Sequence, residues 1–183
     1  MQKEIEKQDF GAVLPDFTLI DLNGKLWSLS QRLEGKKGAV VIFWSSTCSH
    51  CVRYDEVFNS FTARHPELAF LVVASRIGET PDEVKKAAAE RHLAFSVILD
   101  PGATIARQWH TQQTPRAFVM DAERRLLYRG AVDNFKYPED PDFVPYLEPA
   151  TTEFLAGAPV TRPETASYGC AIQSVYYILP KAL

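Results

Sequence analysis

Ala39-Val40-Val41-Ile42-Phe43-Trp44-Ser45-Ser46-Thr47-Cys48-Ser49-His50-Cys51 is the stretch from which the rest of the chain is read. Ala39 to Trp44 is a continuous β-branched and aromatic run, the pattern of a strand buried on both faces. Cys51, Tyr54, Val57, Phe58 and Phe61 then recur at helical spacing until Pro66. Cys48 and Cys51 therefore sit directly after a buried strand and at the start of a helix. A helix N-terminus offers unpaired N–H groups and a positive dipole end, and both favour a thiolate. A free cysteine ionises near about 8.5, so a modest downward shift makes it a nucleophile at neutral pH. On this reading Cys48 is the exposed attacking sulfur, and Cys51 lies a turn inside on the buried face. His50, when protonated, adds positive charge beside Cys48.

Outward from this motif the chain alternates strand and helix. Leu14 to Ile20 leads through the turn Asn23-Gly24 to Leu26-Trp27-Ser28, a hairpin. Leu68 to Ala74 is a second central strand. Thr80-Pro81-Asp82-Glu83 supplies an N-cap, a proline at the first helical position and a reciprocal Glu, so a helix is expected from Asp82 to about His92. Phe95 to Leu99 forms a further strand, and Ile105, Ala106 and Trp109 a short helix. Ala117 to Met120 and Leu126 to Tyr128 form a hairpin across Asp121-Ala122-Glu123-Arg124. Beyond a polar loop at Tyr137 to Asp142, Phe154-Leu155-Ala156-Gly157 ends a helix at a glycine. Such alternation followed by a hairpin indicates an α/β layer fold with a mixed central sheet.

Composition narrows the function classes. The 183 residues suit one domain, and 46% hydrophobic with 23% charged residues is ordinary for a globular chain. A formal net charge of -3 gives no reason to expect nucleic acid or an anionic membrane as partner. The apolar runs are strand length, so no membrane span is expected. Met1 to Lys7 lacks an apolar h-region; the chain as written points to the cytoplasm, and to an extracytoplasmic site if a leader was removed. Three cysteines are too few for a disulfide scaffold. Cys-x-x-Cys is also half of a zinc site, but the other candidate ligands, His65, His92, His110 and Cys170, are scattered singly. No metal and no organic cofactor is expected, since the cysteine pair itself carries the electrons. Cys170 is read as a third thiol near the pair, a core cysteine, or a pairing site with another chain.

Phe43 to Cys51 after a strand, with Thr114-Pro115 before a later strand and hairpin, resembles the thioredoxin superfamily. The resemblance implies a thioredoxin-like three-layer sandwich with an amino-terminal hairpin and a carboxy-terminal extension. It also implies that Pro115 is cis and faces the dithiol, with Thr114 and Pro115 lining a substrate groove beside Trp44. Leu14-Pro15-Asp16-Phe17 and the Asp21-Leu22-Asn23-Gly24-Lys25 turn resemble the redoxin branch. Tyr128 to Asp133, Leu155 to Val160 and Gly169-Cys170-Ala171-Ile172 are similar to a peroxiredoxin-like subgroup. A single domain over 1–183 follows, with a core of about 14–132 and an extension of about 133–183.

The implied activity is thiol–disulfide exchange with a protein or small-molecule disulfide and an unidentified thiol electron donor or acceptor. Thiol peroxidase chemistry and a non-enzymatic metal-carrying redoxin are the alternatives. A peroxiredoxin carries Pro-x-x-x-Thr/Ser-x-x-Cys; counting back from Cys48 gives Ser45 at the hydroxyl position but Val41 at the proline position. Arg116 sits where an arginine could help polarise a peroxide, and is otherwise read as an exposed strand-end arginine. The Trp and Gly-Pro usual around such a motif are Thr47 and Ser49-His50 here. The buried acid of thioredoxin has no counterpart in Ala39 to Trp44, and Asp55 and Glu56 read as solvated helix residues.

Overall fold

The computed structural model describes residues 8–173. The amino-terminal heptapeptide and the last ten residues of the expected extension lie outside the described residues. Nine strands are described: β1 (Thr18–Asp21), β2 (Leu26–Ser28), β3 (Gly38–Trp44), β4 (Leu68–Ala74), β5 (Val97–Leu99), β6 (Gln113–Thr114), β7 (Arg116–Asp121), β8 (Leu126–Gly130) and β9 (Cys170–Ala171). The helices are α1 (Leu29–Leu33), α2 (Ser49–Val52), α3 (Asp55–Arg64), α4 (Pro81–Glu90), α5 (Thr104–Gln108) and α6 (Leu147–Leu155).

Seven strands form one mixed sheet in the order β2-β1-β5-β4-β3-β7-β8. β3 lies near its middle, parallel to β4 from Gly38↔Leu68 to Trp44↔Ala74 and antiparallel to β7 from Gly38↔Asp121 to Phe43↔Arg116. Every residue of β3 is buried, as its unbroken apolar run requires when helices cover both faces. Its side chains alternate between two cores. Ala39, Val41 and Phe43 pack with Leu14, Phe17, Trp27 and Trp109 on one face. Val40, Ile42 and Trp44 pack with Cys51, Phe58, Phe61, Val84 and Leu147 on the other. The result is the thioredoxin-like layered fold expected from the sequence.

The local signals held at most boundaries. Thr80 Oγ1 accepts from the Glu83 amide at 3.2 Å and Glu83 returns a bond to the Thr80 amide at 2.8 Å, so α4 starts on a full capping box. Gly157 follows α6 with φ of 73°, the left-handed geometry glycine adopts freely. Several boundaries moved, among them the first hairpin strand, which starts at Thr18, and α4, which ends at Glu90. The strand expected from Phe95 starts at Val97. The helix expected through the motif is broken into α2 and α3 at Arg53 and Tyr54. There the Tyr54 amide bonds the Cys51 carbonyl in a tight turn. The Tyr54 hydroxyl donates to Asp133 at 2.6 Å, which anchors this break to the segment after β8.

Candidate active site

Cys48 is the N-cap of α2 and Cys51 lies in that helix, and the two cysteines approach to 3.6 Å. The peptide Thr114-Pro115 is cis, as the resemblance implies. The Cys48 thiol donates to the carbonyl oxygen of Thr114 at 3.1 Å, so the loop before β7 meets the cysteine pair. The Thr114 hydroxyl is buried, has no partner among the described residues, and lies within reach of both sulfurs.

The exposure expected of Cys48 is corrected: Cys48 and Cys51 are both 0% exposed. The cause is the chain's own carboxy-terminal segment. β9 runs antiparallel to β6 with Thr114 opposite Cys170 and Gln113 opposite Ala171. The Ile172 amide donates to Gln112 and its carbonyl accepts from Ile77, each at 2.9 Å, so the segment is held from two sides. The groove beside Thr114 and Pro115 is thus filled by Gly169 to Ile172. Trp44 is no open wall either, since it is fully buried with the Arg91 guanidinium 4.8 Å above its ring.

Electrostatics separates the two sulfurs. The Cys51 thiol, then the Cys170 thiol, the Thr114 hydroxyl and the Cys170 amide stabilise a Cys48 thiolate by hydrogen bonding. They outweigh burial and place Cys48 well below the ordinary thiol range. Burial, and then the Cys48 sulfur beside it, push Cys51 well above that range. Cys170 also rises, through burial and then its contact with Cys48. The sequence assigned this asymmetry to a helix dipole and to His50. However, α2 has only 4 residues, so few peptide dipoles align behind Cys48. His50 turns instead to Phe135, ring centroids 4.7 Å apart, with its Nδ1 unpartnered among the described residues.

Three residues that sequence reasoning missed hold the motif in place. Glu79 Oε1 accepts from the Ser45 hydroxyl at 2.9 Å, the Ser46 amide at 2.6 Å, the Ser46 hydroxyl at 2.5 Å and the Thr47 amide at 3.2 Å. Arg91 donates to the Ser46 carbonyl at 3.2 Å and makes two 2.6 Å bonds to Asp55. Asp55 is therefore buried and paired, which corrects its reading as a solvated residue. Its signal was absent because Arg91 is distant in sequence and sits at the C-cap of α4. Glu79 directly precedes the capping box, where its polar character has a local explanation that hides its reach. Arg116, read as exposed, is half-buried, and that burial lowers its affinity for its proton.

The comparisons agree with this geometry. The family model described as Redoxin matches residues 10–145. A hypothetical protein of Sinorhizobium meliloti is 26% identical, with a TM-score of 0.79 over 91% of this chain and 95% of that one. A Chlorobium tepidum protein described as a thiol:disulfide interchange protein is also 26% identical, with a TM-score of 0.58 over 66% of this chain and 84% of its own. A secreted disulfide oxidoreductase of Mycobacterium tuberculosis, 17% identical with a TM-score of 0.55 over 76% of this chain and 95% of its own, shares the fold. No curated protein matches the chain. Among the described residues, no helix is long and apolar enough to cross a membrane. The matched span takes in the strand, the dithiol turn and the cis proline, and the chain belongs to the redoxin family of the thioredoxin superfamily.

Proposed function

We propose that the protein is a thiol–disulfide oxidoreductase working through Cys48 and Cys51. The observation that carries this reading is the Cys48–Cys51 pair, 3.6 Å apart and held against the cis Thr114-Pro115 peptide by the Cys48 bond to the Thr114 carbonyl. Its surroundings favour a Cys48 thiolate and a protonated Cys51. A nucleophile paired with a protonated resolving thiol is what disulfide exchange needs. The Cys48 thiolate attacks one sulfur of a substrate disulfide, the substrate S–S bond breaks, and the departing thiolate takes up a proton. Cys51 then loses its proton and attacks the Cys48 sulfur of the mixed disulfide, releasing the second substrate thiol. The protein dithiol is oxidised to a disulfide and the substrate disulfide is reduced to two thiols.

Two thiolate-stabilising contacts come from Cys170, so the attacking state is most favoured while β9 is seated. A protein substrate pairing with the Thr114 backbone would take the place of β9, and a small disulfide likewise reaches the Cys48 sulfur only once β9 moves, because that sulfur is buried. The name of the Chlorobium tepidum relative supports exchange chemistry over peroxide reduction. The test is insulin-disulfide reduction beside peroxide consumption. Reduction of insulin that Cys48→Ser abolishes supports the reading, and peroxide consumption without insulin reduction overturns it.

A further inference from the structure

The third cysteine lies outside the Cys-x-x-Cys motif, yet the chain brings it to the same sulfur. Extended peptides that bind by strand addition gain affinity from backbone bonds along an exposed edge. Here β9 takes that edge from within, with Cys170 opposite Thr114, the residue whose carbonyl accepts from Cys48. The fit at Gly169 is specific. A Cβ there would lie 1.9 Å from the Thr114 carbonyl oxygen and 2.7 Å from its carbon, so a side chain has no room. The Cys170 thiol and amide lie beside the Cys48 sulfur, where both favour its thiolate. Cys48 and Cys51 are buried, while Cys170 is partly exposed.

We propose that Cys170 is a third redox thiol, forming a disulfide with Cys48 through which an external thiol reaches the buried pair. This rests on the dithiol reading above. In the oxidised protein the Cys170 thiolate attacks the Cys48 sulfur of the Cys48–Cys51 disulfide. A Cys48–Cys170 bond forms, the Cys48–Cys51 bond breaks, and Cys51 leaves as a thiolate that takes the proton Cys170 lost. No outside oxidant is required, because one disulfide replaces another. An external thiolate then attacks the Cys170 sulfur. Cys48 leaves as the thiolate its neighbours stabilise, and a low-pKa thiol is the better leaving group. A second external thiol releases Cys170, so two external thiols become one disulfide and the protein regains its thiols.

The experiment oxidises the full chain with one equivalent of diamide, then maps disulfides by non-reducing proteolysis and mass spectrometry. In Cys51→Ser the expected product is a monomer with a Cys48–Cys170 cross-link and both thiols lost to maleimide. Gly169→Ala retains all three thiols but displaces the strand, so the Cys48–Cys170 cross-link is expected to disappear. Cys170→Ser still forms Cys48–Cys51, but 2-mercaptoethanol reduces that bond at least about tenfold more slowly than in the parent, because neither sulfur is exposed. Cys51→Ser that yields only intermolecular dimers, or leaves Cys170 free, overturns the proposal, as does an unchanged reduction rate in Cys170→Ser. Failure of Cys170→Ser to form Cys48–Cys51 overturns the dithiol reading instead, which keeps the two failures apart.

Discussion

The Cys48 thiol donates to the Thr114 carbonyl at 3.1 Å, and Thr114 is also the antiparallel partner of Cys170. One peptide unit therefore aligns both cysteines, although they lie far apart in the sequence. The backbone edge at Gln113 and Thr114 is already paired by the chain itself. The cysteine pair is thus covered by residues that the motif does not contain.

Cys48→Ser is expected to reduce insulin-disulfide reduction to the uncatalysed rate with the fold unchanged by circular dichroism. Cys51→Ser alone should not accumulate substrate adducts, because Cys170 can resolve them. The double variant Cys51→Ser with Cys170→Ser should trap them, and gel electrophoresis without reductant reads the difference. Equal trapping by the single and double variants would count against the role given to Cys170.

The Cys48 thiolate should persist below the ordinary thiol range. Reactivity of a normal thiol falls about tenfold for each pH unit below about 8.5. That of Cys48 should stay nearly level from about pH 6 to about pH 8, because its thiolate is already formed there. Cys170→Ala removes a donor to the thiolate, which disfavours the charged form and raises the Cys48 pKa. One charge-assisted hydrogen bond corresponds to about one pH unit. His50→Leu should move it less, since His50 faces Phe135. Thiolate absorbance against pH, with Cys48→Ser as the blank, measures both.

Glu79→Ala should loosen the motif without touching a cysteine. It leaves the Ser46 and Thr47 amides and two hydroxyls without their shared acceptor. A loss of about 1–3 kcal/mol is expected in denaturant unfolding. Glu79→Gln keeps one acceptor oxygen and should recover part of it. If kcat falls with stability unchanged, Glu79 acts on the chemistry rather than on the loop.

Gly169→Ala should uncover Cys48. The added carbon meets backbone atoms, which cannot swing aside as a side-chain tip would. β9 must shift, so alkylation of Cys48 by iodoacetamide should accelerate while the melting temperature drops only modestly. Unchanged alkylation would mean that β9 does not guard the sulfur.

Much of the fold was legible because its signals are local. The β3 run is apolar at every position, and only a strand covered on both faces buries all of it. The capping box at Thr80 and Glu83 is contained within one turn, so it survives any tertiary context. The break at Tyr54 was not legible, because the hydroxyl that stabilises it bonds Asp133 far along the chain. Asp55 misled for the same reason, its partner Arg91 lying on another helix.

By itself the sequence determined the strand and the Cys-x-x-Cys turn after it, whereas the cis proline facing that turn followed only from the family resemblance. Strand and turn depend on residue type and spacing over short distances, where hydrophobic period and backbone geometry act directly. Only the tertiary structure decided which groups surround each sulfur. Hydrogen bonding and desolvation act over a few ångströms in space, whatever the separation along the chain. Cys170, Thr114 and Glu79 enter the site because the sheet and its loops carry them there. His50, which stands between the cysteines in sequence, packs its ring against Phe135.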